Sequence, residues 1–175
     1  MSFHMITAFE NLLKQGFSQT AFRQPDEEPG VYVPPKFFIG AIPPKRKRND
    51  PEYDPQSDFP FIVNRFMEGT DSGEESIVTI KTLCGIYTAG DVESGEHDIA
   101  NMVFRCRRLI LQTRLLDNRY ELALPLKWTL GDVEDQHNQA YPYFGGAIVS
   151  HWTIPAIEQC MTPEEEVRIY GSGFE

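Results

Sequence analysis

The sequence predicts an α+β domain: a mostly antiparallel sheet of four to five strands, flanked by two helices, with a long proline-rich loop. Two segments follow the 3.6-residue helical period, several shorter ones alternate with the strand period, and turns join successive strands. We expect residues 1–158 to form one domain with an extended loop at 23–58, and residues 159–175 to form an acidic C-terminal tail.

The overall composition excludes several classes of protein. The formal net charge of the 175-residue chain is -10, which disfavours a protein that wraps nucleic acid. No window approaches the ~18 consecutive apolar residues of a membrane span, and the N-terminus lacks the features of a secretory signal. Cys84, Cys106 and Cys160 form no CxxC pair, which favours a reducing compartment and argues against a zinc site.

The first helix is predicted to end near Gly16, and its apolar positions share one face: Phe3, Ile6, Phe9, Leu12, Leu13 and Phe17. The stretch 23–58 then holds eight prolines, a density that forbids a continuous helix or a central strand. Within it only residues 37–39 resemble a strand. We interpret residues 40–58 as an exposed loop, of a length that is usually functional or disordered.

The rest of the chain alternates between strands and one long helix. Strands are predicted at 59–66 and 76–88, joined by an acidic, glycine-rich turn at 67–75, and the second helix at about 97–116. After a turn at 117–118, residues 120–130 alternate cleanly between apolar and polar, which predicts one buried face. Pro125 within that strand implies an edge position or a bulge. Residues 141–154 form the last predicted strand.

A search for reaction chemistry assigns no catalytic, cofactor-binding or metal-binding residue. There is no GxSxG or SxxK motif, and the four histidines lie at no metal-ligand spacing. Cys84 and Cys106 fall on apolar faces, which is typical of buried, unreactive thiols. Gly69, Gly73, Gly90 and Gly95 lie among acidic residues that would repel a phosphate. The lack of motifs favours a role in assembly over an enzymatic one.

Three segments, taken together, resemble a known protein family: FPFIVNRFMEGTDSGEESIVTIKTLCGIY, the second helix followed by NRYELALPLKW, and AYPYFGGAIVSHWTIPAIE. This combination resembles the tail terminator (tail completion) proteins of long-tailed bacteriophages and prophages. The resemblance covers about residues 59–158, and the N-terminal helix fits the same arrangement. The proline-rich stretch and the acidic tail lie outside it.

The resemblance implies a structural virion protein without an active site or cofactor. Such proteins have a sheet flanked by helices and form a hexameric ring on the end of the tail tube. The ring ends tube growth and offers a surface to the head-side connector or stopper protein. DNA would pass through its lumen without specific binding, and no membrane would be involved. The protein would be assembled in the host bacterial cytoplasm and remain in the tail or neck of the virion.

Two exposed segments are the candidate assembly contacts. One is the 67–75 segment, expected to reach the tail tube, with Met67, Glu68, Thr70, Asp71 and Glu74. The other, expected to pair with a neighbouring subunit or the connector, is the basic run Lys45, Arg46, Lys47 and Arg48. Trp128 and Trp152 are expected in the core. Three alternatives remain: another neck, head–tail joining or minor capsid protein; a small cytosolic enzyme using scattered acids with His97 or His151; and an adaptor that binds a peptide at a sheet edge.

Overall fold

The computed structural model describes residues 2–23, 31–43, 56–72, 75–89, 92–131 and 141–154. Within these ranges the chain is an α+β structure with two helices, as predicted. In chain order the elements are α1 (Ser2–Gly16), β1 (Phe22–Arg23), β2 (Tyr32–Val33), β3 (Lys36–Ile39), β4 (Phe61–Asp71), β5 (Ser76–Tyr87), α2 (Val92–Gln112), β6 (Leu115–Leu116), β7 (Tyr120–Leu130) and β8 (Tyr143–Ile154).

The main sheet has six strands in the order β3-β4-β5-β8-β7-β6, and β1 pairs with β2 in a separate two-stranded sheet. All neighbours in the main sheet are antiparallel except β3 and β4. The prediction of four to five strands was therefore one short. The extra strand is β6, which the predicted 97–116 helix had included.

Both helices pack on one face of the sheet, and the core lies between. The apolar stripe of α1 contributes Met5, Phe9 and Leu13, all buried. Trp152 on β8 is fully buried against the edge of the Phe9 ring, and its indole N–H donates to Ser150 Oγ at 3.0 Å. This bond satisfies a polar group that would otherwise cost free energy when buried.

Helix α2 begins at Val92 and ends at Gln112, so the predicted 97–116 bounds were wrong at both ends. Gly95 was assigned to a loop because glycine disfavours helices. It lies in the first turns because the Phe144 ring packs directly on its Cα, where a Cβ would collide with the ring. At the other end, Thr113 N–H still donates to Leu109, but the chain then turns into β6.

The turn predicted at 117–118 is confirmed. Asp117 and Asn118 both have positive φ, 52° and 53°, and Arg119 N–H donates to the Leu116 carbonyl at 3.1 Å. Two successive left-handed residues match a type I′ turn, which suits a tight hairpin, and Asp and Asn tolerate that conformation best after glycine.

Strand β4 is longer than predicted. It extends through Asp71, so most of the segment expected as a turn at 67–75 is extended backbone paired with β5. The hairpin is closed by Ser72 and Glu75, whose backbone and hydroxyl groups exchange hydrogen bonds of 2.7–3.0 Å. The glycine and acidic residues suggested a turn, but pairing with β5 outweighs their weak strand propensity.

Two features of the predicted organisation lie partly or wholly outside the described residues. The structure describes residues 23, 31–43 and 56–58 of the proline-rich loop and none of the C-terminal tail. The irregularity predicted at Pro125 is confirmed as a register shift between Ala123 and Lys127 in the β7–β8 pairing. Among the described helices, none combines the length and the apolar character that crossing a bilayer requires.

Candidate assembly surfaces

Within the described residues, the main sheet has two edges that are only partly paired. Strand β3 pairs with β4 only from Phe61 to Asn64, so residues 65–71 of β4 have no described strand on the side away from β5. Strand β6 pairs only with Tyr120 and Glu121 of β7, and residues 123–130 are likewise open within the described chain. Open edges present backbone donors and acceptors to any strand that can approach.

Four of the candidate contacts lie on the open part of β4. Met67, Glu68, Thr70 and Asp71 are all exposed. Met67 is the extra residue of a β-bulge, because Phe66 pairs with Ile80 and Glu68 with Thr79. A bulge re-aims side chains at a sheet edge, and the Met67 side chain is 52% exposed. Glu74 and the basic run Lys45, Arg46, Lys47 and Arg48 lie outside the described residues.

An apolar pocket of about 370 Å³ opens next to this edge. It lies at the end of the helix–sheet sandwich, where α1 begins and β8 ends. Its walls come from both layers: Met5, Phe66, Met67, Glu68, Gly69, Val78, Tyr120 and Ile154. A pocket of this size and character accepts one or two apolar side chains from another molecule.

The second edge carries an exposed aromatic pair. Trp128 on β7 contacts Phe104 on α2 edge to face, with ring centroids 5.1 Å apart, and the two side chains are 42% and 43% exposed. The expectation that Trp128 lies in the core was wrong, whereas that for Trp152 is confirmed. Leu124 is 62% exposed beside the bulge, and Leu130 is also exposed. Exposed apolar clusters of this kind mark interaction surfaces.

The alternation of apolar and polar residues along 120–130 predicted one buried face, and this prediction is wrong beyond Leu122. Up to that residue the pattern holds, with Tyr120 and Leu122 buried. Past the bulge the strand is less covered: Leu126 is partly buried against the core, and Trp128 contacts Phe104 of α2 but stays half-exposed. Sequence reasoning missed this surface, although Pro125 gave a signal: a proline that marks an edge also marks apolar neighbours that a partner could cover.

A polar cleft lies at the start of α2, lined by Arg23, Glu93, Ser94, His97 and Asp98. Partial burial raises the pKa of Asp98, against the opposing influence of Arg23 and then His97. Imidazole Nδ1 of His97 lies 3.1 Å from the Asn101 amide, within its own helix.

The other candidate residues of an enzyme site do not converge. His151 Nδ1 lies 3.0 Å from the Thr79 hydroxyl on the opposite face of the sheet. Within the described ranges, no three His, Cys, Asp or Glu side chains group as metal ligands. Cys84 and Cys106 are buried neighbours, and burial followed by hydrogen bonding to Cys84 raises the pKa of the Cys106 thiol well above its usual range.

Comparison with known proteins identifies no relative: neither a protein-family model nor a curated protein sequence matches the chain.

Proposed function

We propose that this protein is a tail terminator: a virion component whose copies join head to tail into a ring, hexameric as the resemblance implies, on the end of a phage tail tube. It stops tube growth, offers the head-side joining surface and breaks no bonds. One observation supports this most strongly: in the part of the chain that the structure describes, a single sheet has two open edges that differ in sequence, one on β4 and one on β7.

Strand directions make the two edges compatible. The four long strands β4, β5, β8 and β7 are successively antiparallel, so β4 and β7 run in opposite directions. A neighbouring copy, related by rotation about an axis along the strands, would place its β7 antiparallel to β4. Contacts between two different surfaces of the same chain are heterologous, and they generate a ring when the rotation closes.

The side chains also suit a junction of this kind. Residues 65–71 offer a protruding Met67 at a bulge. The β7 edge offers Leu124 and Trp128, with apolar area that a neighbour would remove from water. Burying such area contributes roughly 25 cal/mol per Å². In an isolated copy no neighbour covers these edges, so the side chains of Met67, Leu124 and Trp128 remain exposed to solvent.

The apolar pocket serves a different contact. It opens at the end of the sandwich rather than along a strand edge, so in a ring whose axis follows the strands it faces along that axis. This is the direction of the tail tube on one side or of the connector on the other. We assign it to the tail tube protein, because Met67 and Glu68 line it and belong to the segment predicted to reach the tube.

The test uses one blocked edge per variant. Met67→Lys blocks the β4 edge and Leu124→Lys the β7 edge, since lysine on an edge strand prevents pairing. By native mass spectrometry each variant alone should be monomeric, and an equal mixture should give dimers that grow no further. Gln112→Lys, which adds the same charge on exposed α2, should assemble like the unmodified chain.

The outcomes separate the possible interfaces. Dimers of Met67→Lys alone would indicate that β7 pairs with itself and would contradict a head-to-tail ring. A chain that remains monomeric and also fails to bind the ends of purified tail tubes would overturn the proposal. Tubes of uniform length formed without the protein would do the same.

The open β7 edge also favours a second candidate, an adaptor that adds one extended peptide to its sheet. An adaptor would bind such a peptide with Leu124 and Trp128 while remaining monomeric on tube ends. Leu124→Lys would then abolish peptide binding, and Met67→Lys would leave it unchanged.

A further inference from the structure

The sheet face that points away from the helices carries a line of cations. Arg65 pairs with Lys81, Lys81 with Val149, and Val149 with Lys127. The four positions therefore form one row across β4, β5, β8 and β7. Strands lie about 4.8 Å apart, so the row spans roughly 14 Å. We call Arg65, Lys81 and Lys127 the basic row.

The orientation of the basic row follows from the strand period. On β5, the residues before and after Lys81 are Ile80 and Thr82. Both are fully buried, on the face of the sheet that the helices cover. The neighbour of Lys127 is Trp128, which contacts α2. Because successive side chains alternate between faces, the basic row lies on the opposite face. In the described chain both long helices pack on the other side.

The charges of the row are not neutralised within the described residues. Neither Lys81 nor Lys127 has a carboxylate within ion-pair distance there. Arg65 Nε donates to the Gly40 carbonyl at 2.8 Å, which orients the guanidinium without cancelling its charge. Like charges on directly opposed positions of adjacent strands destabilise a sheet, and Arg65 faces Lys81 in this way. An anionic partner would relieve that repulsion.

The rank of side chains on one side of the row carries no charge: it consists of Val63, Leu83, Ala147 and Thr129. The β8 positions there are small, and a Cβ added at Gly145 would meet only the Cys84 carbonyl, at 3.9 Å. Thr129 adds an exposed hydroxyl two residues from Lys127. On the other side, Glu68 lies in the next rank, paired with Thr79, and Glu121 lies further away, paired with Thr153.

We propose that the basic row contacts the phosphate backbone of double-stranded DNA. The inference rests on the proposed ring and places its helix-free face toward the lumen. Three cations in one row, on the face free of the described helices, can each meet a backbone phosphate, whereas an acidic peptide would also need pockets for its side chains. Such contacts are independent of base sequence and allow sliding, so the duplex is guided rather than held.

The test measures anisotropy of a labelled duplex at low and moderate salt. If all three cations meet phosphates, affinity falls about 40-fold between about 50 and 200 mM salt. The triple variant Arg65→Gln, Lys81→Gln, Lys127→Gln should lose at least about tenfold in affinity and most of this salt dependence. Lys127→Gln alone, at an exposed position, should give a partial loss.

The matched control removes three charges from the helix side. Arg107→Gln, Arg108→Gln, Arg114→Gln changes net charge equally at exposed positions and should bind DNA like the unmodified chain. Equal loss in both triple variants would overturn the inference, as would no DNA binding by the unmodified chain at low salt. It would also be overturned if a glutamate-rich peptide bound the row more tightly than DNA.

Native mass spectrometry of the triple variant separates this inference from the proposed function. Rings that persist while DNA binding is unaffected would refute the DNA contact and leave the ring standing. Absence of rings in the unmodified chain would refute the ring itself, whatever the DNA result.

Discussion

Arg105 on α2 closes the C-terminal end of α1 at Gly16. Its Nε and Nη2 both donate to the Gly16 carbonyl, at 3.0 and 2.8 Å, and its guanidinium carbon lies 5.5 Å from the centroid of the Phe17 ring. The last carbonyls of a helix lack partners within the helix and carry partial negative charge. One arginine therefore satisfies the end of one helix from the side of another and fixes how the two pack.

Arg105→Lys should lower the free energy of unfolding by about 1 to 2 kcal/mol, because lysine keeps the charge but loses the two-pronged bond. Urea unfolding followed by circular dichroism measures this. Arg107→Lys on the exposed face of the same helix is the control and should change stability by less than about 0.5 kcal/mol. Equal effects at both positions would mean that the contact to Gly16 contributes nothing.

Asn64 and Thr82 form an isolated polar pair in the core. The Thr82 hydroxyl donates to Asn64 Oδ1 at 2.9 Å, both residues are fully buried, and Asn64 Nδ2 has no hydrogen-bond partner among the described residues. Thr82→Val should cost about 1 to 3 kcal/mol, because it leaves the asparagine amide wholly unsatisfied. The double variant Asn64→Leu, Thr82→Val should recover most of that loss. A double variant less stable than Thr82→Val would contradict this account.

Asp98 should make stability depend on pH. Burial raises its pKa above the usual 3.8, so the folded chain holds this proton more tightly than the unfolded chain. Stability then falls as pH rises through the interval between 3.8 and the raised value, and the cost persists above it. Asp98→Asn should therefore be more stable than the unmodified chain at neutral pH, with the difference vanishing below pH 3.8. A less stable variant at neutral pH would refute this.

Cys84 and Cys106 should resist thiol reagents while the protein is folded. Both are buried, and the raised pKa of Cys106 suppresses its thiolate. In a Cys160→Ser background, labelling by iodoacetamide should be negligible in buffer and should reach two thiols per chain in denaturant. Fast labelling of the folded chain would show that the core opens readily.

Trp128 should report on assembly through its fluorescence. It is 42% exposed in the single chain, whereas Trp152 is fully buried. When copies join through the β7 edge, emission should shift to shorter wavelength and quenching by acrylamide should fall. Trp128→Phe should show neither change, because the remaining Trp152 is already shielded. Unchanged Trp128 quenching in a demonstrated ring would place the junction elsewhere.

Much of the fold could be predicted from hydrophobic periodicity, because most of its helices, strands and turns are encoded by residues close together in the sequence. The stripe of α1, the two long strands of 76–88 and 141–154, and the Asp117–Asn118 turn each carry their signal within a few residues. What failed depended on distant neighbours. Gly95 is helical because Phe144 requires its close approach, and residues 67–71 are extended because β5 pairs with them.

The candidate surfaces divide in the same way. Met67, Glu68, Thr70 and Asp71 were found because an acidic, glycine-containing segment is rarely buried. The Phe104–Trp128 pair could not be found, since 24 residues separate its members and each fits an apolar stripe on its own element. The basic row was equally hidden, because its three members lie on three different strands and meet only through register.

The number of long strands has a consequence for the size of any closed circle. With four of them per copy, up and down strands balance, so every junction of the proposed ring would repeat the antiparallel arrangement found inside the copy. Because the number of long strands per copy is even, strand directions would alternate without interruption in a ring of five, six or seven copies. The circumference of the ring would instead depend on how sharply each sheet bends. A substitution near Pro125 that flattened β7 would therefore widen the ring without changing the contacts between copies.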